Sequence, residues 1–483
     1  MNWSCVSRTV KTNIKPDSYS GQRIASQIRV AVVLTIVWLL PFLMSACSGG
    51  AAGNLIPRGT AVAPSAGTPG LQSSSAPAAA SILNAPSVSL LTFGNAGYGG
   101  DDTNVLQNAL NTTAVNGQVL RVPAGSYNIS PISFPANSQL ALDAGAVFTA
   151  NAGYGPQDKM LKIESQNVVI AGAGAASVIF QMRKSEYAAE HATDQSEYRH
   201  CLDIEGATNV TVSGISCNKS GGDGLYIGAG AQKQPSQNIT VSDSIFDQNF
   251  RQGFSLISGQ HIFIDRCHFT NTEGTAPEAG IDVEPNDPSG AVVDVHFEDN
   301  FTDNNAGPGV KLALWLMTNA SPKIDVTILR HHSDSNELSG YDANNADMDP
   351  NVQGQVLIQD SFSTDDGSYG AVAHWYQASG PALIFKNLTI TNPHQNGPDP
   401  SYHDSAAIGV VRGGGGKQPI GNVQFETVNV SVTNGKVDRY FNFGDSSNKA
   451  VENVVFTPGN LSGATQVPPN GLMNSAGANS VGQ

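Results

Sequence analysis

From about residue 118 onward the chain alternates apolar and polar residues in short runs that keep returning. NVTVSGISC from Asn209, NITVSDSIF from Asn238, HIFIDRCHF from His261, DVHFEDNF from Asp294, QVLIQDSF from Gln355 and NVQFETVNV from Asn422 each have the period-two pattern of a half-buried strand ending near a turn residue. Between them a shorter motif of glycine, apolar, any, apolar recurs. It stands at Gly224-Leu225-Tyr226-Ile227, Gly253-Phe254-Ser255-Leu256, Gly280-Ile281-Asp282-Val283 and Gly309-Val310-Lys311-Leu312, and less cleanly at Gly340-Tyr341-Asp342-Ala343 and Gly370-Ala371-Val372-Ala373. The glycines are spaced by 29, 27, 29, 31 and 30 residues.

Two or three short strands per period, with no long helix between them, cannot close separate hairpins around one compact core. They can stack as coils of a solenoid, each burying its apolar positions against its neighbours. The expected fold is all-β, a single-stranded parallel β-helix of about ten coils; a propeller blade would need a longer repeat of about 40 to 50 residues. Upstream, GYGGDDTNVLQNALNTTAVNGQVLRVPAGSYNIS places Asp102 as the N-cap of a short helix with a Val105, Leu106, Leu110 stripe, followed by a strand from Gln118 to Val122. With its GDDT, short helix and VPAGxY strand, this stretch resembles the N-terminal cap of the pectate-lyase-like right-handed parallel β-helix superfamily. The resemblance covers roughly residues 92 to 460 and implies the fold; its members include lyases, hydrolases, epimerases and non-catalytic surface proteins, so it does not choose an activity.

Reading the register outward fixes the candidate site. If the residue after each repeat glycine is buried, the next faces out, which gives the row Tyr226, Ser255, Asp282, Lys311, Asp342, Val372; two positions further come Glu284 and His374. Neighbours in a parallel ladder lie roughly 4.8 Å apart, so Asp282 and Lys311 should stand side by side with Arg251 leaning over from the preceding turn. A lyase could use Arg251, or a calcium ion on Asp282 and Glu284, to neutralise a uronate carboxylate and Lys311 to abstract a proton. A hydrolase could use Asp282 and Glu284 as its carboxylate pair. Tyr226, Ser255, Asp342 and His374 are the expected substrate contacts, and Trp315, Trp375 and Tyr376 are candidate sugar platforms. Cross-coil salt bridging would produce the same alternation of charge without any chemistry. A non-catalytic glycan-binding or structural β-helix is therefore the competing expectation.

The ends of the chain concern address rather than fold. A basic lead precedes the apolar run Val30 to Met44, too short for a membrane span and broken by Pro41, and Met44-Ser45-Ala46-Cys47 resembles the bacterial lipobox. That resemblance implies a signal peptide over 1–46, lipidation at Cys47 and a membrane anchor at the outer membrane or cell surface. An Ala, Gly, Ser and Pro-rich tether follows over 47–86, then the β-helix over 87–465 and a disordered tail over 466–483.

Composition narrows the partners. A formal charge of −15 with no Lys or Arg cluster excludes a nucleic-acid partner, and RGGGGK, Arg412 to Lys417, lacks the P-loop spacing for a nucleotide. The expected partner is a polysaccharide, with uronate-containing chains among the candidates. Cys201, Cys217 and Cys267 show no CxxC spacing; buried packing is the expectation, with a disulfide between two of them left open.

Overall fold

The computed structural model describes residues 76–464, apart from 347, 350, 400–404, 413–417 and 446–450, together with 480–481. The expected signal segment, Cys47, the tether as far as residue 75 and most of the expected tail lie outside the described residues.

Each coil contains three strands. In one coil these are Phe254–Leu256, Gly259–Asp265 and His268–Thr270; in the next, Ile281–Val283, Val292–Glu298 and Phe301–Asp303 pair with them in parallel, strand for strand. The first strands build an eleven-stranded sheet running from Ile132–Ser133 to Arg439–Asp445, and the second and third strands build the other, 25-stranded sheet. The second strands open on a residue in the left-handed region: Asn209, Asn238, His261, Asp294 and Asn422 all have φ between 53° and 59°. Short polar side chains tolerate that corner best, and stacking lets them bond each other. Asn238 donates to Asn209, and Asn209 to Asn167, each at 3.0 Å.

The repeat glycines mark where consecutive coils come closest. A Cβ on Gly253 would lie 2.6 Å from the Gly280 carbonyl oxygen and 2.7 Å from the Phe269 Cβ, with rigid atoms on both sides. The residue after each glycine points inward, so Leu225, Phe254, Ile281, Val310 and Tyr341 form one buried column. Cys201, Cys217 and Cys267 are buried and unbridged.

The N-terminal cap has the expected helix, α2 (Thr103–Val115), but its capping chemistry differs from expectation. The Asp102 carboxylate turns away to accept from the Gly97 and Asn128 amides, and Asp101 accepts from the Thr103 amide instead. An earlier helix, α1 (Ala76–Leu83), occupies the last part of the stretch expected as tether. Its Ala79 and Ile82 cluster with Val119, Ala141 and Ala171, so apolar burial orders residues that composition marks as linker. His331 is fully buried, with its Nε2 3.0 Å from the Thr302 hydroxyl.

A polar ladder runs inside the coils at a turn. Asn305 donates to the Phe269 carbonyl at 3.0 Å and Asn336 to the Thr302 carbonyl at 2.8 Å, but the next coil puts Asp366 in the asparagine's place. Burial pushes the Asp366 carboxyl up to about 7, with hydrogen bonds from Ser363, Asn336 and Ser333 pulling it back. The folded state therefore binds a proton that the unfolded chain has released, and stability falls as pH rises from about 4 to about 7. Asp366→Asn should raise the melting temperature, by more at pH 8 than at pH 5; an equal or opposite change across that range in thermal denaturation would show the site is not protonated. Gly253→Ala should cost about 1–3 kcal/mol in the same assay through overpacking.

A charged row on the outer face of the short-strand sheet

The register of the eleven-stranded sheet sets the row. Lys162, Asp203, Tyr226, Ser255, Asp282, Lys311, Asp342 and Val372 are successive hydrogen-bonded partners on the outer side. The expected neighbours are thus neighbours in fact. The row also extends two coils further back than the glycine motif reached, because Met160 and Cys201 stand where the later coils have glycine.

Facing outward does not mean facing water. Ser255, Asp203 and Asp282 have no exposed surface, contrary to the expectation that this row is solvated. Arg251 is the reason around Asp282: its guanidinium reaches Glu284 at 3.1 Å, Glu197 at 3.3 Å and Asp223 at 3.7 Å. Glu197 arrives from the excursion that carries α3 (Lys184–Asp194), which therefore contributes a residue to the site. Gln252 fixes Asp282 from the same turn, donating to its Oδ2 at 2.7 Å while accepting from the Ala279 amide.

Electrostatics follow from this burial. Desolvation, reinforced by Glu284, holds the Asp282 carboxyl well above the usual carboxylate range. Burial raises Asp223 to about 6, with Arg251 and Ser255 acting against it. Burial alone would depress Arg251, but Asp223, Asp282, Glu284 and Glu197 outweigh it and keep the guanidinium charged. The second cluster is Asp342, which accepts from Lys311 Nζ at 2.8 Å on one oxygen and meets His374 Nδ1 at 3.0 Å on the other. Burial would raise Asp342, yet Lys311 and His374 together hold it well below its ordinary value. Arg251, Glu284, Lys311, Asp342 and His374 keep between 11% and 18% of their side chains exposed, so they, and not Asp282, can touch a ligand.

The donor set does not fit the calcium ion expected on Asp282 and Glu284. One oxygen of Asp282 is taken by Gln252 and Glu284 is taken by Arg251. Among the described residues no three acidic, histidine or cysteine side chains gather as a metal group. Of the expected sugar platforms, Trp315 is 49% exposed, whereas Tyr376 is fully buried with its hydroxyl on the Pro381 carbonyl.

At the other end of the row the surface opens into a cleft of about 510 Å³, lined by Lys159, Lys162, Tyr198, His200, Glu205 and Tyr226 among others. Only Tyr226 of these was expected from sequence. The His200 ring stacks on Tyr226 at 4.6 Å and 11°, and its Nδ1 accepts from the Asp223 amide, which ties the cleft to the Arg251 cluster.

A family model described as right handed beta helix region matches residues 182–321. In structure the chain is similar to the A-module of the Azotobacter vinelandii mannuronan C-5 epimerase AlgE4, at a TM-score of 0.55 and 14% identity over 82% of this chain and 100% of that one. It is similar to PfbA, a surface adhesin of Streptococcus pneumoniae, at 0.54 and 12% over 79% and 93%. It is also similar to a family 28 exopolygalacturonase of Yersinia enterocolitica, at 0.50 and 14% over 82% and 78%. No curated protein matches the sequence. The chain is a right-handed parallel β-helix, the fold that its N-terminal cap implied. At these identities the likenesses define the fold and leave the activity to the site.

Removing the guanidinium should expose how the row is held. Arg251→Met should cost about 3–5 kcal/mol by leaving buried carboxylates unpaired. The loss should be greater at pH 8 than at pH 5, because Asp223, at about 6, is ionised at the higher pH. A pH-independent loss in denaturant titrations would mean that Asp223 is not among the charges Arg251 balances.

Proposed function

We propose that the protein binds an extracellular polysaccharide along the outer face of the short-strand sheet and cleaves it there by proton abstraction, as an exported lipoprotein anchored through Cys47. The observation that carries this reading is the shared Asp342 carboxylate, with Lys311 on one oxygen and His374 Nδ1 on the other. With Nδ1–H donated to Asp342, Nε2 is the proton-accepting nitrogen of the His374 ring; it lies buried at the site, so a sugar reaches it once the side chains above it move aside. Lys311 donates to Asp342 at 2.8 Å, which suits it to supply charge and a proton and not to serve as the base expected from sequence.

In a uronate chain, His374 would take the C5 proton. The electron pair forms the C4–C5 double bond as the C4–O bond breaks, and Lys311 returns a proton to the leaving oxygen. Arg251 is a fixed cation for the substrate carboxylate, which would displace Glu284 or Glu197 from it. Double-carboxylate hydrolysis is less well supported, since Asp282 has no exposed surface from which to reach a substrate. The same burial, with Arg251 already engaged by three partners, is what favours the second reading of a non-catalytic glycan-binding β-helix. The structural likenesses include a mannuronan epimerase and an exopolygalacturonase, which support a glycan partner, and an adhesin, which keeps the non-catalytic reading open.

The test is an assay of the purified chain on polyuronates and neutral glucans, following the ultraviolet absorbance of unsaturated ends alongside reducing ends, with and without a chelator. Both signals should rise on a polyuronate, survive chelation, and fall by about 10²–10⁴-fold in His374→Ala. Reducing ends alone, lost in Glu284→Gln, would make the protein a hydrolase. Silence on every substrate, with retained glycan binding, would establish the non-catalytic reading.

A further inference from the structure

The row contains one motif twice. Leu202-Asp203-Ile204-Glu205 and Ile281-Asp282-Val283-Glu284 are both apolar-Asp-apolar-Glu on strands of the same sheet, three coils apart. Each has its aspartate fully buried on the outer side and a lysine directly beside it in the ladder, Lys162 for Asp203 and Lys311 for Asp282. The two copies differ in what lies above them. Arg251 closes the second, whereas the first lies beneath the open cleft.

Asp203 is the unusual feature of that first copy. It has no exposed surface, neither carboxylate oxygen has a hydrogen-bond partner, and it stands between Lys162 and Tyr226, both of which line the cleft. Burying a polar group without a partner is unfavourable, so this aspartate calls for an explanation. Tyr226 is set firmly in the wall: His200 stacks on one face, and a Cβ at Gly228 would come within 2.6 Å of the ring, so glycine leaves the room in which it lies.

The charges around the cleft show what it would take. Burial raises both Asp203 and Glu205, moving each toward the neutral form. Asp158 is turned to the Gly155 amide at 2.7 Å, and Glu164 is paired with Lys162 at 2.9 Å. Among the described residues Lys159 makes no close ion pair: it meets the Gln157 carbonyl at 3.1 Å and the face of Tyr198 at 5.8 Å, and acts on Glu205 and Asp203 from longer range.

We propose that this cleft is a second binding site in the same groove, taking an anionic sugar unit whose acid group meets Lys159 and Lys162 and whose hydroxyls meet Glu205 beside the Tyr226 ring, above the buried Asp203. This rests on the reading of the groove as a polysaccharide site. It places the second site roughly 14 Å along the axis from the Asp282 copy, at three coil spacings, so one chain several sugars long would engage both.

Calorimetric titration of the intact chain with short oligogalacturonates and oligomannuronates, and with neutral gluco-oligosaccharides of the same length, decides the matter. The wild type should bind at least one uronate series, and the Lys159→Ala, Lys162→Ala double variant should bind it at least tenfold more weakly at an unchanged melting temperature. Both lysines are exposed enough to be removed without cavity formation. Uronate binding that survives the double variant but is lost in Lys311→Ala would overturn this site and leave the main reading standing. Binding of neutral sugars only would overturn the anionic assignment and retain a glycan groove. Binding of neither series would remove both.

Discussion

Parallel stacking in strict register is the constraint on which the rest depends. Once the coil at Phe254 is hydrogen-bonded to the coil at Ile281, and that to Val310, a side chain's place along the axis is fixed by counting residues from the glycine. A slip of one residue would turn Asp282 and Lys311 into the apolar column and bring Ile281 and Val310 out. The cost of burying those charges therefore protects the register that assembles the row.

The row creates a second constraint of its own. Charges on a sheet face covered by turns and an excursion cannot be left to water, so apart from Asp203 they are paired across coils and to the excursion: Arg251 with Glu197, Asp223 and Glu284, and Lys311 and His374 with Asp342. Such groups are held before any ligand arrives, and their electrostatic effect is strongest where solvent is excluded. The groups that retain some surface run along it, from the cleft beside Tyr226 through Arg251 and Glu284 to Lys311 and His374. The fully buried Asp282 joins them through its field.

The fold was legible because it repeats. Glycine spacing and period-two strands were enough for the coil, its register and the neighbours Tyr226, Ser255, Asp282, Lys311 and Asp342. The site was legible only in part, for identifiable reasons. Burial of Asp282 depends on the direction of the Arg251 and Gln252 side chains, which no spacing encodes. Lys162, Asp203 and Glu205 were missed because Met160 and Cys201 replace the glycine that flagged later coils; the repeated Asp-apolar-Glu was the signal that could have found them. Glu197 came from an excursion with no period, and α1 from a stretch whose alanines suit a linker as well as a helix.

The central claim is that the outer face of the short-strand sheet is where a glycan lies. The most direct measurement is a crystal structure of the chain soaked with a polyuronate oligomer long enough to cross several coils. The account predicts sugar density running along the axis over Tyr226, Glu284, Lys311 and His374. Density confined to either strand row of the other sheet, or ordered density across a coil instead of along the row, would contradict it.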